Sequence, residues 1–173
     1  MKSILLLILL HLSLFAHPHT FVDLYPTIKV QDNKITSLRF TWVFDEMTSS
    51  MLIMDLDTDM NQKIDTKENN YIYNNYFQSL ADYGFYTFVT VNSKRVQLPE
   101  PTNFKANIKN HRISYSFDIV GSFDIRKTSF EFGDRDLYVA MVLKKEFVHI
   151  EGATPKVTTI NDDRYFGYKL ELQ

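Results

Sequence analysis

The chain has no cysteine. That removes disulfides, thiolate metal sites and a cysteine nucleophile. It leaves histidine, carboxylate and the chain terminus as ligands for any transition metal. Charge of one sign is also missing: 19 Lys and Arg stand against 21 Asp and Glu, a formal net charge of −2. A near-neutral, slightly acidic chain lacks the basic surface that nucleic acid requires. Beyond the first sixteen residues no apolar run approaches the roughly 20 residues that span a bilayer as a helix. There is no His-Glu-x-x-His, no phosphate-binding loop and no nucleophile motif around Ser49 or Ser50. No internal repeat or low-complexity tract interrupts the chain. These absences lead to a non-catalytic reading.

The start of the chain carries an address. Lys2 is followed by the apolar runs Ile4 to Leu10 and Leu12 to Phe15, then Ala16. A basic start, a short apolar middle and a small residue form the layout of a secretory signal peptide. Cleavage is expected after Ala16, although Leu14 is bulkier than such sites favour. Residues 17–173 then form a single periplasmic domain with no membrane span after processing.

Period-2 alternation dominates that domain. Residues Thr20 to Val30 and Ile35 to Phe44 read as a hairpin across the turn cluster Gln31-Asp-Asn-Lys34, with Leu38, Phe40, Trp42 and Phe44 on one face. From Glu46 to Leu56 the period becomes helical, with Met47, Met51, Leu52 and Met54 at helix spacing and Asp45 as N-cap. A second helical face follows in Ile72, Tyr73, Tyr76, Phe77 and Leu80, ended by Gly84. Strands are then expected at Phe85–Val91, Arg95–Leu98, Phe104–Ile108, Arg112–Val120, Ser129–Phe132, Leu137–Leu143, Phe147–Ile150, Val157–Ile160 and Tyr165–Leu172. The fold class is mainly β, an antiparallel sandwich or barrel, with a helical insertion at about 45–84; overall it is α+β.

Between the two helical faces lies Asp57-Thr-Asp-Met-Asn-Gln-Lys-Ile-Asp-Thr-Lys-Glu68. It follows the twelve-residue EF-hand pattern. Asp57, Asp59 and Asn61 stand at positions one, three and five. The carbonyl of Lys63 stands at seven, Asp65 at nine and Glu68 at twelve. A hard cation such as Ca²⁺ wants several oxygens on a curved backbone, which this spacing supplies. Ile64 at position eight is the usual apolar anchor. Position six, where glycine normally takes positive φ, is Gln62, at a cost of about 1 kcal/mol. A single hand without a partner suits a structural clamp better than a sensor.

Cleavage after Ala16 would make His17 the N-terminus. Its amine and imidazole, with His19, could chelate Zn²⁺, Ni²⁺ or Cu²⁺. Pro18 has no amide hydrogen and so blocks the mode that deprotonates the second-residue amide. Either of two further histidines could complete such a site. His149 reads as exposed by strand parity. His111 shares parity with Ile113, Tyr115 and Phe117, which sets it at the edge of the core.

The run Ala-His-Pro-His-Thr-Phe-Val-Asp at 16–23, the run Phe-Thr-Trp-Val-Phe-Asp-Glu-Met at 40–47 and the acidic loop ending at Glu68 resemble an uncharacterised bacterial family. Its members are described as periplasmic components of an uncharacterised ABC-type transport system. A looser match surrounds Phe132-Gly-Asp-Arg-Asp-Leu-Tyr-Val. The resemblance implies a metal-linked accessory role carried by His17 and His19, with an inner-membrane metal transporter as partner. Two other readings remain open at this point: a non-catalytic, calcium-stabilised interaction module of the envelope, and a copper-dependent redox enzyme with an N-terminal histidine brace.

Overall fold

The computed structural model describes residues 20–136, 138–161 and 165–173. The chain opens with strands β1 (Thr20–Gln31) and β2 (Lys34–Phe44), then helices α1 (Glu46–Leu56) and α2 (Thr66–Ile72). Ten short strands follow: β3 (Thr87–Val91), β4 (Lys94–Val96), β5 (Thr102–Lys109), β6 (Arg112–Asp118), β7 (Phe123–Asp124), β8 (Thr128–Phe132), β9 (Val139–Val142), β10 (His149–Glu151), β11 (Pro155–Asn161) and β12 (Phe166–Leu172). One sheet runs β10-β1-β2-β6-β5, with β7 added to β2 and β9 to β1. The other runs β11-β12-β8-β3-β4. The fold is mainly β and mixed α+β, as the alternation predicts.

Tight turns set the register of three hairpins. Asp32 and Asn33 (φ 51° and 59°), Asn92 and Ser93 (50° and 63°), and Asn110 and His111 (52° and 58°) are all left-handed pairs. Each pair joins directly bonded strands, at Gln31↔Lys34, Val91↔Lys94 and Lys109↔Arg112. Two central residues at positive φ match the right-handed twist of the strands they connect. The same turn corrects the reading of His111. It stands at a hairpin tip and is exposed, because strand parity ends where the turn begins.

One edge also departs from an antiparallel sandwich. β9 and β10 both pair with β1 in parallel, at Thr20↔Val139 and Thr27↔His149. Several expected strands are shorter: β3 begins only at Thr87, β4 ends at Val96, β6 ends at Asp118, and Lys145–Phe147 is a 3₁₀ turn ahead of the three-residue β10. The expected strand over Leu137–Leu143 is described only from Tyr138 onward. Among the described residues, no helix is long and apolar enough to cross a membrane.

The two sheets meet through aromatic rings. Phe40 of β2 packs edge-on against Phe132 and Phe130 of β8, with centroids at 5.4 and 6.4 Å. Phe123 meets Phe130 at 5.7 Å. Such edge-to-face pairs add about 0.5–1.5 kcal/mol beyond their buried area.

The helical segment links β2 in one sheet to β3 in the other and closes one edge of the first. Its second half is not one continuous helix. α2 gives way to a π-helical turn at Tyr73–Phe77 and a 3₁₀ segment at Gln78–Tyr86. Gly84, Phe85 and Tyr86 are all left-handed and swing the chain into β3. Phe77 anchors the segment. It is 1% exposed and lies 4.4 Å from Phe104, 4.9 Å from Phe117 and 5.1 Å from Phe85. Two polar side chains fix the helices to backbone N–H groups of the sheet. Ser49 Oγ accepts from Ile113 N at 3.1 Å, and Asn69 Oδ1 accepts from Ala106 N at 2.8 Å on the edge strand β5.

Asp45 caps α1, as expected, and does more than that. One oxygen accepts from Thr48 N at 2.9 Å. The other accepts from the Thr48 hydroxyl and from Phe21 N, both at 2.8 Å, which ties the start of β1 to the helix. Partial burial would raise its carboxyl, but these hydrogen bonds outweigh it and hold the group below the ordinary aspartate range.

Two outcomes follow from this packing. Phe77→Ala is expected to cost about 3–5 kcal/mol in urea unfolding, against less than about 0.5 kcal/mol for exposed Gln78→Ala. Asp45→Ala is expected to cost about 1–2 kcal/mol at pH 7. Because the folded carboxyl is depressed, that contribution is full above the unfolded value of about 3.9 and fades as pH falls through the folded one. The gap between wild type and Asp45→Ala should therefore shrink when the same curves are measured near pH 3.

Candidate functional site

α1 ends at Leu56, whose side chain is buried in the core, and the backbone N–H of Asp57 still bonds to Ile53 O at 2.9 Å. Asp57 is therefore held by the last helical turn, only 2% exposed. Its two oxygens accept from the N–H groups of Asn61 (3.1 Å) and Gln62 (2.8 Å). Those bonds curl the loop around the carboxylate. The curl needs left-handed backbone at Met60 (φ 57°) and Gln62 (φ 62°). The position where glycine is usual does carry that conformation here, on a glutamine.

Asp59 accepts from Asn61 N at 3.2 Å and from the Asn61 side-chain amide at 2.7 Å. Ile64 is half-buried against the core and anchors the middle of the loop. Lys63 is exposed beside it.

The exit is a capping box. Asp65 is the N-cap of α2 and accepts from Glu68 N at 2.8 Å, while Glu68 Oε2 accepts from Asp65 N at 3.0 Å. This reciprocal pair satisfies two N–H groups that a helix start otherwise leaves open. Glu68 Oε1 meanwhile reaches back across the loop, accepting from Thr58 N at 2.7 Å and the Thr58 hydroxyl at 2.8 Å.

The result is a cluster of carboxylates. Asp57, Asp59 and Glu68 each present an oxygen within 4.8 Å of the others, and Asp57 and Glu68 are buried. An ionised carboxylate accepts at about four lone-pair positions. The bonds above use two on Asp57, two on Asp59 and three on Glu68. Every member keeps capacity for a cation. Among the described residues no lysine, arginine or histidine forms an ion pair with any of the three. Three like charges converging without a counter-charge form a place that a metal ion could occupy.

The expected ligands thus separate into groups. Asp57, Asp59 and Glu68 come together. Asn61 and Asp65 flank them, Asn61 bonded to Asp59 and Asp65 committed to the cap. His17 and His19 lie outside the described residues. His149 is exposed on β10 beside Thr27. Thr27 is seven residues along β1 from Thr20, roughly 23 Å at strand rise.

A second feature adjoins the loop, and sequence reasoning missed it. Met54, Asp57, Met60, Gln62 and His111 line a depression of about 440 Å³. The helical spacing over Glu46 to Leu56 groups Met47, Met51, Leu52 and Met54 without distinguishing the inner face. In the structure Met47, Met51 and Met54 face outward, and Ser49, Leu52, Ile53 and Leu56 face inward. The signal available was the richness in methionine itself, a donor that the exclusion of cysteine left unconsidered.

Another acidic residue has a different task. Asp134 is buried and accepts from the N–H groups of Asp136, Tyr138 and Val139, which shapes the turn into β9.

Two curated proteins are similar to part of this chain. An "Uncharacterized protein" of Haemophilus influenzae is 28% identical over 122 residues, 68% of this chain and 56% of that protein. An "Uncharacterized 15.5 kDa protein in trpE 3'region" of Spirochaeta aurantia is 33% identical over 66 residues, 38% of this chain and 47% of that protein. The chain spans about half the length of these curated relatives. Residues 3–162 match the family described as "Protein of unknown function (DUF1007)", and with nearly all of its length inside that match the chain belongs to the DUF1007 family.

Proposed function

We propose that this is an exported, non-catalytic metal-binding accessory protein whose loop at 57–68 takes Ca²⁺ as a structural clamp. The observation that carries the reading is the convergence of Asp57, Asp59 and Glu68 oxygens within 4.8 Å, at positions one, three and twelve of a helix-flanked loop. Oxygen ligands of this number and charge suit a hard divalent ion. Asp57, Asp59 and the Asn61 amide oxygen would supply the first half of the sphere. The Lys63 carbonyl, Asp65 through water and both Glu68 oxygens would supply the rest. Calcium would neutralise the loop and pin the end of α1 to the start of α2. Both helices are already fastened to the sheet, so the clamp would stiffen that edge.

The transport-linked part of the proposal rests on other residues. The leader pattern before Ala16 supports export to the periplasm. His17 and His19 supply nitrogen donors for Zn²⁺, Ni²⁺ or Cu²⁺. The family resemblance supports service to an inner-membrane metal transporter. An interaction module clamped by calcium, with the histidines inert, is the reading that remains if they bind nothing.

Calcium at 100 times its dissociation constant should stabilise the protein by about 2.7 kcal/mol, raising the melting temperature by roughly 5–10 °C. Asp57→Asn and Glu68→Gln should remove that shift. Asp59→Asn, exposed and outside the capping box, should remove most of it without disturbing the fold. No shift and no calorimetric heat for the wild type would defeat the calcium reading. Gln62→Gly relieves the left-handed strain and should tighten calcium roughly five- to tenfold. For the histidine start, calorimetry of His17→Ala/His19→Ala protein is expected to lose zinc or nickel binding and keep calcium. Unchanged zinc and nickel affinity would remove the transport-linked part alone.

A further inference from the structure

The outer face of α1 runs against the rule that a helix turns its apolar side inward. Met47, Met51 and Met54 are four and three residues apart, so they form one row. The row meets solvent at 65%, 60% and 74% exposure, and Met60 in the loop reaches 82%. Four of the six methionines of a cysteine-free chain therefore stand on one surface. Thioether sulfur is soft and polarisable, and three rotatable bonds let it move toward a ligand without backbone change.

Met54 and Met60 share their depression with an imidazole. His111 Nδ1 lies 3.3 Å from Gln62 Oε1. An amide oxygen only accepts, so Nδ1 is the donor of this contact, and in the neutral ring Nε2 then presents a lone pair. Among the described residues Nε2 has no partner. A ring held by one nitrogen and open at the other is how ligating histidines are oriented. Gln62 pays for its place with left-handed backbone, where calcium loops favour glycine. Its side chain gives that strain a purpose. Asp57, the nearest carboxylate lining the depression, is buried and bonded to Asn61 and Gln62 N–H.

We propose that Met54, Met60 and His111 form a binding site for Cu(I), with Gln62 as the positioning residue that holds His111. Two neutral thioethers and one neutral imidazole select a soft monovalent ion. They are poor ligands for Ca²⁺, and without thiolate or carboxylate they are weak for Zn²⁺. Met51, one turn back from Met54, extends the sulfur surface along the helix. The site uses none of the calcium carboxylates as ligands, so it stands or falls separately from the clamp.

The test is a titration of the full chain with Cu(I), kept reduced by ascorbate and competed against a chromophoric Cu(I) chelator. Ag(I), a redox-inert substitute, is followed in parallel by NMR of ¹³C-methyl methionine. One equivalent is expected to move the Met54 and Met60 methyls and the His111 ring, leaving buried Met141 in place. Met54→Leu/Met60→Leu, which keeps volume and removes both sulfurs, is expected to weaken Cu(I) at least tenfold while the melting temperature holds. Gln62→Gly should weaken Cu(I) while it tightens calcium, an opposition that a general folding defect would not produce. Glu68→Gln should abolish calcium and leave Cu(I) unchanged, so the two sites fail independently. Unchanged Cu(I) affinity in the double leucine variant would overturn the proposal. So would methyl shifts confined to Met47 and Met51, or Cu(I) binding that vanishes with His17→Ala/His19→Ala.

Discussion

The side chain of Glu68 is the constraint on which the loop depends. Its backbone N–H bonds to Asp65, one carboxylate oxygen returns to Asp65 N, and the other crosses to Thr58 at the loop entrance. One buried group thereby joins the loop entrance, two residues beyond α1, to the first turn of α2. Asp57 performs the matching task from the other end, drawing in the N–H groups of Asn61 and Gln62. The carboxylates are gathered by ordinary hydrogen bonding, and their mutual repulsion is the opposing term. A cation at their centre would reverse the sign of that term, which is the physical basis of the proposed clamp.

The proposed clamp would matter because of what the helices hold. Phe77 fills the space among Phe85, Phe104 and Phe117, so the insertion is packed into the core rather than laid over it. Asn69 covers an edge N–H of β5, and Ser49 bonds a backbone group of β6. Stiffening the loop would therefore stiffen a sheet edge, a region that proteins protect against stray pairing. On the opposite flank, Gln62 connects the loop to His111 at the β5–β6 hairpin tip. A single left-handed residue touches both the carboxylate loop and the methionine surface.

Local chemistry was legible in the sequence. The Asp45 cap, the Asp32-Asn33 turn and the ligand spacing each depend on residues a few positions apart, whereas the capping box of Asp65 and Glu68 was hidden behind their reading as ligands. The features that were not legible depend on contacts distant in sequence. Helical spacing on α1 fits either Met47-Met51-Met54 or Ser49-Leu52-Ile53-Leu56 as the inner face. The second set is the inner face: Leu56 is buried, Leu52 and Ile53 pack on the core, and the Ser49 hydroxyl meets Ile113 N, 64 residues away. Parity placed His111 toward the core, and two successive positive-φ residues lifted it out. The parallel pairing of β9 and β10 with β1 is likewise long-range, and so is the π-helical turn that seats Phe77 among rings from three other segments.

The most direct test of the clamp is amide hydrogen exchange of the whole protein with and without calcium. The account expects slower exchange at Thr58, Asn61, Gln62 and Glu68, whose N–H groups bond to loop carboxylates, and along α1 and α2. The remote hairpin at Asn92-Ser93 should be unaffected. Exchange at those loop amides that is identical with and without calcium would contradict the central claim that the loop is a cation-dependent clamp.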